Sequence, residues 1–260
     1  MGNDSFAFTF NIGNYRCCAI RDGDDGNRNI LLVKTGQHQV LIDTGVGRDL
    51  HPRLPGLLMD RLRAVGTPPT AIDVVILSHA DWDHIGGMVD ESGNPAFPNA
   101  RLVLARDEWA FWSQQPERLP PSEAYDEAFR QGYGIPQTRL AQLRDRLELV
   151  ADGAEVVPGI RIMAAPGHTP GYAVIEVTSG RERLLFVGDL LYAPEDVENP
   201  DFVSMFDYDP VQVVATRRRV LGQAAREQPL LMAYHLPFPG LGHVVQQGAG
   251  WRWQSAEVSK

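Results

Sequence analysis

Four side chains that can ligate a metal fall within six residues: His79, Asp81, Asp83 and His84, in the stretch DVVILSHADWDHIGG. Held together without a counter-charge, two carboxylates and two imidazoles would repel one another or be costly to desolvate. A divalent cation removes that cost, and neutral imidazole with carboxylate is a donor set used by zinc, iron and manganese. Three more such residues occur in comparable settings: His168 in IMAAPGHTPG, Asp189 in RLLFVGDLLY and His235 in LLMAYHLPFPGLG. Each follows a short apolar run, close to Gly or Pro residues that punctuate a turn. One histidine in such a turn is ordinarily structural or on the surface; the joint pattern is what points to metal-assisted chemistry. Ser78 precedes His79 but lacks the Gly-x-Ser-x-Gly elbow of a serine hydrolase.

The elements that must carry these residues are short and alternate in type. Residues 6–10, 15–20, 30–34 and 39–42 read as strands rich in Val, Ile, Leu and Phe, with a polar turn at 21–29. A helix follows Pro52, with Leu54, Leu57, Leu58, Leu62 and Val65 on one stripe and Gly66 as its stop. The continuous apolar run 73–77 is expected to be buried on both faces. Residues 107–146 read as a helical insert rich in Pro and aromatics. Strands return at 155–157, 161–164, 172–177 and 184–187, followed by a helix over 210–227 and a last buried strand at 230–233. Interleaved strands and helices predict a layered α/β sandwich, and the absence of a linker-like boundary predicts one domain over residues 1–260.

Composition narrows the function classes. The chain has 260 residues, 43% of them hydrophobic, and a formal net charge of −9. That balance argues against a nucleic-acid groove, and the run Arg217–Arg218–Arg219 is expected to be the solvated face of a helix. No stretch reaches the roughly 18 apolar residues of a membrane span. The beginning, MGNDSFAFTFNIG, does not read as a secretory signal. The only cysteines, Cys17 and Cys18, are adjacent, so a mutual disulfide would be strained. They are expected to be buried thiols in a reducing cytoplasm. A small molecule is the expected partner, with no nucleic acid and no membrane.

Taken together, LIDTGVG, SHADWDHIGG, PGHTPG, GDLLY and AYHLPFPGLG resemble the metallo-β-lactamase superfamily across nearly the whole chain. The resemblance implies a four-layer αββα sandwich with a metal site at one edge of two sheets. It implies one metal on His79, the residue at 81 and His168, and a second on Asp83, His84 and His235. Asp189 would bridge the two, with a water or hydroxide between them. Asp43 would orient ligands, unless it is simply a turn-forming Asp. The implied activity is hydrolysis by a metal-bound hydroxide, with Asp83 holding that hydroxide in line.

The superfamily usually has His where this chain has Asp81. Its carboxylate oxygen can reach about as far from Cβ as the near imidazole nitrogen. Two divalent ions, a hydroxide and the carboxylates of Asp83 and Asp189 sum to about +1, and Asp81 brings the sum to about zero. The metals become weaker Lewis acids, and preference tilts toward manganese or iron without excluding zinc. Three readings stay open: a working dinuclear site, a site holding only the second metal, and a degenerate fold.

NPAFPNARLVLARDEWAFW, FDYDPVQVVATRRRVL and HLPFPGLG are similar to the quorum-quenching lactonase and methyl-parathion-hydrolase-like branch. That similarity implies lactone, ester or organophosphate substrates. Glyoxalase-type thioester hydrolysis, or a metal-poor binding protein of the same fold, remains the alternative. In superfamily lactonases a Tyr three residues after the bridging Asp points at the substrate carbonyl; Tyr192 has that spacing, although it could simply pack. Trp109, Phe111, Trp112, Phe129 and Tyr133 of the insert are expected to roof the site, form a homodimer contact or pack as helix core. Phe238 is expected to line the pocket.

Overall fold

The computed structural model describes residues 5–24, 27–48, 55–114 and 134–256. Hydrophobic alternation sorts the chain into two seven-stranded sheets. The first runs β1 (Ala7–Ile12), β2 (Tyr15–Arg21), β3 (Asn29–Lys34), β4 (Gln39–Ile42), β5 (Val74–Ile76), β6 (Arg101–Ala105) and β7 (Leu147–Val150), hydrogen-bonded in that order. The second is ordered β14 (Gly250–Ser255), β13 (Leu241–Gln247), β12 (Leu230–Ala233), β11 (Glu182–Gly188), β10 (Ala173–Ser179), β9 (Ile160–Ala164) and β8 (Glu155–Val157).

Successive side chains of a strand face opposite ways, and that period divides the apolar residues between two cores. Ala173, Ile175 and Val177 of β10, with Leu184 and Phe186 of β11, join Cys17, Leu31, Ile42 and Ile76, which share one face of the first sheet, in the core between the sheets. Val174, Leu185 and Val187 point the other way, onto Val213, Val220, Leu221 and Ala224 of the long helix Pro210–Glu227. Three helices, α1 (Leu58–Ala64), α3 (Arg106–Ser113) and α4 (Gly134–Leu143), give Leu58, Leu62, Trp112, Leu140 and Leu143 to the core of the first sheet. A single turn, α2 (Trp82–Ile85), follows β5, and the long helix is α5. The layers are therefore helix, sheet, sheet, helix. Among the described residues no helix is long and apolar enough to cross a membrane.

Helix α5 spans 210–227 as its sequence predicts, with Pro210 in the first turn and the Asp209 side chain accepting from Val211 N and Gln212 N. The triple-arginine expectation fails for one member. Arg217 is 0% exposed, and its guanidinium donates to the carbonyls of Leu190, Pro200 and Phe202. The buried Val213, Thr216, Val220, Leu221 and Ala224 show that residue 217 falls on the packed face of α5. Four strands escape the sequence reading: β6, β7 and the terminal pair β13 and β14, so β12 is not the last strand. Cys17 and Cys18 are buried and unpaired.

Parallel pairing explains where chemistry can gather. Strand β4 runs parallel to β5, and β11 runs parallel to β12. Their carboxyl ends therefore lie together at one edge of each sheet, the place where open α/β sheets leave a crevice.

Candidate metal centre

The ligand candidates leave those strand ends. Asp43 follows β4, His79 lies beyond β5, Asp189 follows β11, and His235 lies beyond β12. His168 stands in the turn between β9 and β10, and Asp81, Asp83 and His84 lie at or within the single turn of α2. All seven proposed metal ligands converge. Potential donor atoms of His79, Asp81 and His168 lie within 4.8 Å of one another, as do those of Asp83, His84 and His235, and those of His79, His84 and Asp189. Asp189 faces both halves: Oδ1 is 3.1 Å from His84 Nε2, and Oδ2 is 3.1 Å from His235 Nε2 and 3.7 Å from His168 Nε2.

Each imidazole is aimed by a bond at its other nitrogen. Asp43 Oδ2 is 2.7 Å from His84 Nδ1, while the same carboxylate accepts from Ser78 N and Ser78 Oγ at 2.8 Å each. Ser78 Oγ is 3.0 Å from His79 Nδ1. His168 Nδ1 faces Asp207 Oδ1 at 3.0 Å, and His235 Nδ1 faces the Asn27 carbonyl at 3.1 Å. All four Nε2 atoms are thereby turned inward. Tyr172 holds Asp189, accepting from its backbone N–H at 2.7 Å and donating to the Val187 carbonyl at 2.7 Å. Gly188 makes room for this contact: it has φ +49°, and a Cβ there would lie 2.2 Å from the Tyr172 hydroxyl. Tyr234 fixes the α2 turn by donating to the Asp83 carbonyl at 2.6 Å.

Protein alone does not satisfy this cage. His79 Nε2, His84 Nε2, His168 Nε2 and Asp189 Oδ1 are buried without an aligned hydrogen bond. Each such orphan costs about 1–3 kcal/mol, and all of them point at one small volume. Protons can only partly replace a cation. Burial lowers the His84 imidazole, but the fields of Asp189, Asp83 and Asp43 outweigh it and raise it well above its ordinary range. Burial likewise lowers His168, but Asp207 and Asp81 outweigh it and raise the imidazole well above its ordinary range. Asp189 goes the other way: burial raises it, but His235 and His84 hold it well below the usual carboxylate range. Nitrogen and carboxylate donors converging with matched charge fit divalent metal ions.

Tyr192 stacks on His235, with ring centroids 5.2 Å apart and planes 15° apart, and its hydroxyl is 3.3 Å from His168 Nδ1. Burial and the Asp189 charge raise its phenol well above the usual value, so it remains a neutral donor. The proposed pocket residues divide. Trp112 is a core residue, 3% exposed, whose indole donates to Glu108. Trp109 and Phe238 are partly buried against the main hydrophobic cluster, and Phe111 packs edge-on against Tyr208 at 4.7 Å. Phe129 and Tyr133 lie outside the described residues.

Sequence reasoning missed Asp207, Tyr172, Tyr234 and Glu108. The last is buried and accepts from Ala80 N, Trp112 Nε1 and Thr169 Oγ1. None of these stands in a spacing pattern of its own; only their distance to ligands in space reveals them.

Known proteins resemble this chain in sequence and in fold. The metallo-beta-lactamase superfamily profile matches residues 23–235. An N-acyl homoserine lactonase of Bacillus sp is 27% identical over 239 residues, covering 84% of this chain and 82% of that protein. AiiA, an N-acyl homoserine lactonase of Bacillus thuringiensis subsp. kurstaki, is 24% identical over 78% of this chain and 79% of its own length. Among solved structures, AidC, a dizinc quorum-quenching lactonase in complex with a product, superposes with a TM-score of 0.91 at 27% identity, covering 99% of this chain and all of AidC. The hydrolase AbOPH superposes at 0.88 with 22% identity over the full length of both chains, which speaks to the fold alone.

Proposed function

The chain belongs to the metallo-β-lactamase superfamily and is a metallo-hydrolase of that group; on that premise we propose that it opens lactone rings, with N-acyl homoserine lactones as the substrate class. The observation that carries this reading is the seven-residue cage with Tyr192 stacked on one of its histidines. The lactonases named above are similar along most of both chains, and this adds support.

His79, Asp81 and His168 would hold one divalent ion, Asp83, His84 and His235 the other, and Asp189 would touch both. Such a pair supplies an acidified water as nucleophile and Lewis-acid polarisation of the carbonyl. The remaining work belongs to the chain. Asp83 would hold the attacking water in line. The neutral Tyr192 hydroxyl would donate a hydrogen bond to the carbonyl oxygen as it gains charge, or to the departing ring oxygen. Asp43, Asp207 and the Asn27 carbonyl keep the imidazoles turned inward and lock their tautomers.

Asp81 sets the metal preference in this reading. A third carboxylate in the cage makes it richer in hard oxygen donors and favours manganese or iron alongside zinc. The buried, unpaired thiols fit a reducing compartment, and we place the enzyme in the cytoplasm.

The test is a substrate panel of N-acyl homoserine lactones, simple lactones, aryl esters, phosphotriesters and thioesters, run after reconstitution with zinc, manganese or iron. The expected result is the highest kcat/KM on an acyl homoserine lactone. A preference for thioester or phosphotriester by a factor of ten or more would replace the lactonase reading.

A further inference from the structure

Glu108 lies outside the cage, yet it touches both chain segments that carry one half of it. It sits in the first turn of α3 and is 0% exposed. Oε1 accepts from the Ala80 backbone N–H at 2.9 Å and from Trp112 Nε1 at 2.8 Å. Oε2 accepts from Thr169 Oγ1 at 2.6 Å. Ala80 stands between His79 and Asp81, and Thr169 follows His168. One carboxylate therefore joins the turn bearing His79 and Asp81 to the turn bearing His168. Asp83, His84 and His235 have other supports, in Tyr234, Asp43 and the Asn27 carbonyl.

The backbone shows the same close coupling. A Cβ at Gly171 would lie 1.9 Å from Glu108 N and 2.3 Å from its Cα, so the start of α3 rests directly on the His168 turn. A buried carboxylate is expensive unless its bonds are made. Here an apolar replacement would remove the carboxylate to which an N–H, a hydroxyl and an indole donate.

We infer that Glu108 is a positioning residue that sets the spacing of His79, Asp81 and His168, and so the metal affinity of that half of the cage alone. The inference rests on the metal-centre reading above. Its currency is hydrogen-bond geometry rather than charge. A glutamine can keep all three contacts: its amide oxygen accepts from Ala80 and Trp112, and its NH2 donates to the Thr169 hydroxyl, which can turn to accept.

The experiment is competition of the purified protein against a chromophoric zinc chelator, with zinc content per chain measured in parallel. The wild-type chain is expected to hold two zinc ions. Glu108→Ala should weaken one of them about 10–100-fold, the usual effect of removing a support of metal ligands. Glu108→Gln should stay within about threefold of wild type, since its three bonds remain. Site backgrounds identify the ion affected. In His84→Ala, Glu108→Ala should weaken the remaining zinc; in Asp81→Ala, it should leave the remaining zinc unchanged. Should Glu108→Ala fail to fold, Thr169→Val removes a single arm and should weaken the same ion about tenfold. Wild-type affinity in Glu108→Ala or Thr169→Val, equal weakening in both backgrounds, or a Gln variant as weak as the Ala variant would overturn the inference. A wild-type chain that binds no zinc would instead remove the metal centre itself, and the inference with it.

Discussion

The Asp81 carboxylate lies 3.2 Å from the Nε2 of His168. It stands 3.7 Å from His79 Nε2 as well, so a carboxylate occupies the position at which the superfamily usually has an imidazole. Burial raises this carboxyl, but His79 and His168 outweigh that and lower it well below the usual range, so it is ionised. An ionised oxygen donor between two imidazoles argues for a ligand. Asp81→His is therefore expected to keep the metal content while shifting preference toward zinc, measured by metal analysis after growth with mixed zinc, manganese and iron. Unchanged content and identity would show that Asp81 binds no metal.

Asp189 and His84 are the strongest tests of a dinuclear mechanism, because Asp189 faces both halves of the cage and His84 faces Asp189. Asp189→Ala and His84→Ala should each cost about a thousandfold or more in kcat/KM on an activated lactone, comparable to the loss of a main electrostatic stabiliser. Circular dichroism should report a folded chain in both. Retention of full rate in both variants would remove the mechanism.

Chelation should act on stability as well as on rate. Ions bound to the native state stabilise it by mass action, by about 4 kcal/mol for one site at a thousandfold excess over Kd. Dialysis against a strong chelator is expected to abolish hydrolysis and lower Tm, and added zinc or manganese should restore both. A Tm indifferent to chelation and to added metal would contradict a filled cage.

The candidate ligands are legible in the sequence because they lie at or shortly after strand ends, in short turns, and both leave marks: an apolar run, then Gly or Pro near His or Asp. His79, His84, His168, Asp189 and His235 all carry that mark. Their supports carry none. Asp207 meets His168 across 39 residues, and Glu108 meets Thr169 across 61, through packing that no local pattern encodes. Arg217 was misread because adjacent arginines suggest a solvated face, whereas α5 turns about 100° per residue and sends one of three inward. Strands β13 and β14 escape the sequence reading because HVVQQGAGWRWQ mixes polar with apolar residues, burying Val244 and Trp253 while leaving Gln246, Gln247, Arg252 and Gln254 exposed.

The adjacent cysteines give a pH prediction. Burial, and then the neighbouring Cys18, push the Cys17 thiol up to about 12 from an ordinary value of 9.0. Burial likewise raises Cys18. The native thiols should therefore resist a disulfide reagent at pH 8 and react only in denaturant, since the thiolate is the nucleophile. The linkage sign is set by the raised value: above about pH 9 the unfolded chain releases these protons while the native chain keeps them. Stability should fall as pH rises from about 9 toward 12, and a Cys17→Ser, Cys18→Ala variant should show a shallower fall. Rapid native labelling at pH 8 would contradict the buried, protonated pair.

Tyr192 is placed to act on the substrate through a hydroxyl rather than through bulk. Its ring is fixed by stacking on His235 and lies 6.3 Å from Phe206, so removing the oxygen leaves the packing intact. Tyr192→Phe is expected to lower kcat about tenfold to a hundredfold, in the lower range of a single donor to developing charge. KM should change little, because a bond that strengthens only as charge develops contributes to the transition state and not to ground-state binding. The zinc content should stay at the wild-type value, since Asp207 still holds His168 Nδ1 when the phenol oxygen is gone. Steady-state kinetics on one N-acyl homoserine lactone, with metal analysis on the same preparation, separates the outcomes. A fall in kcat with metal retained supports the donor role. A fall that follows lost metal would make Tyr192 a support of His168, and an unchanged kcat would make it a packing residue.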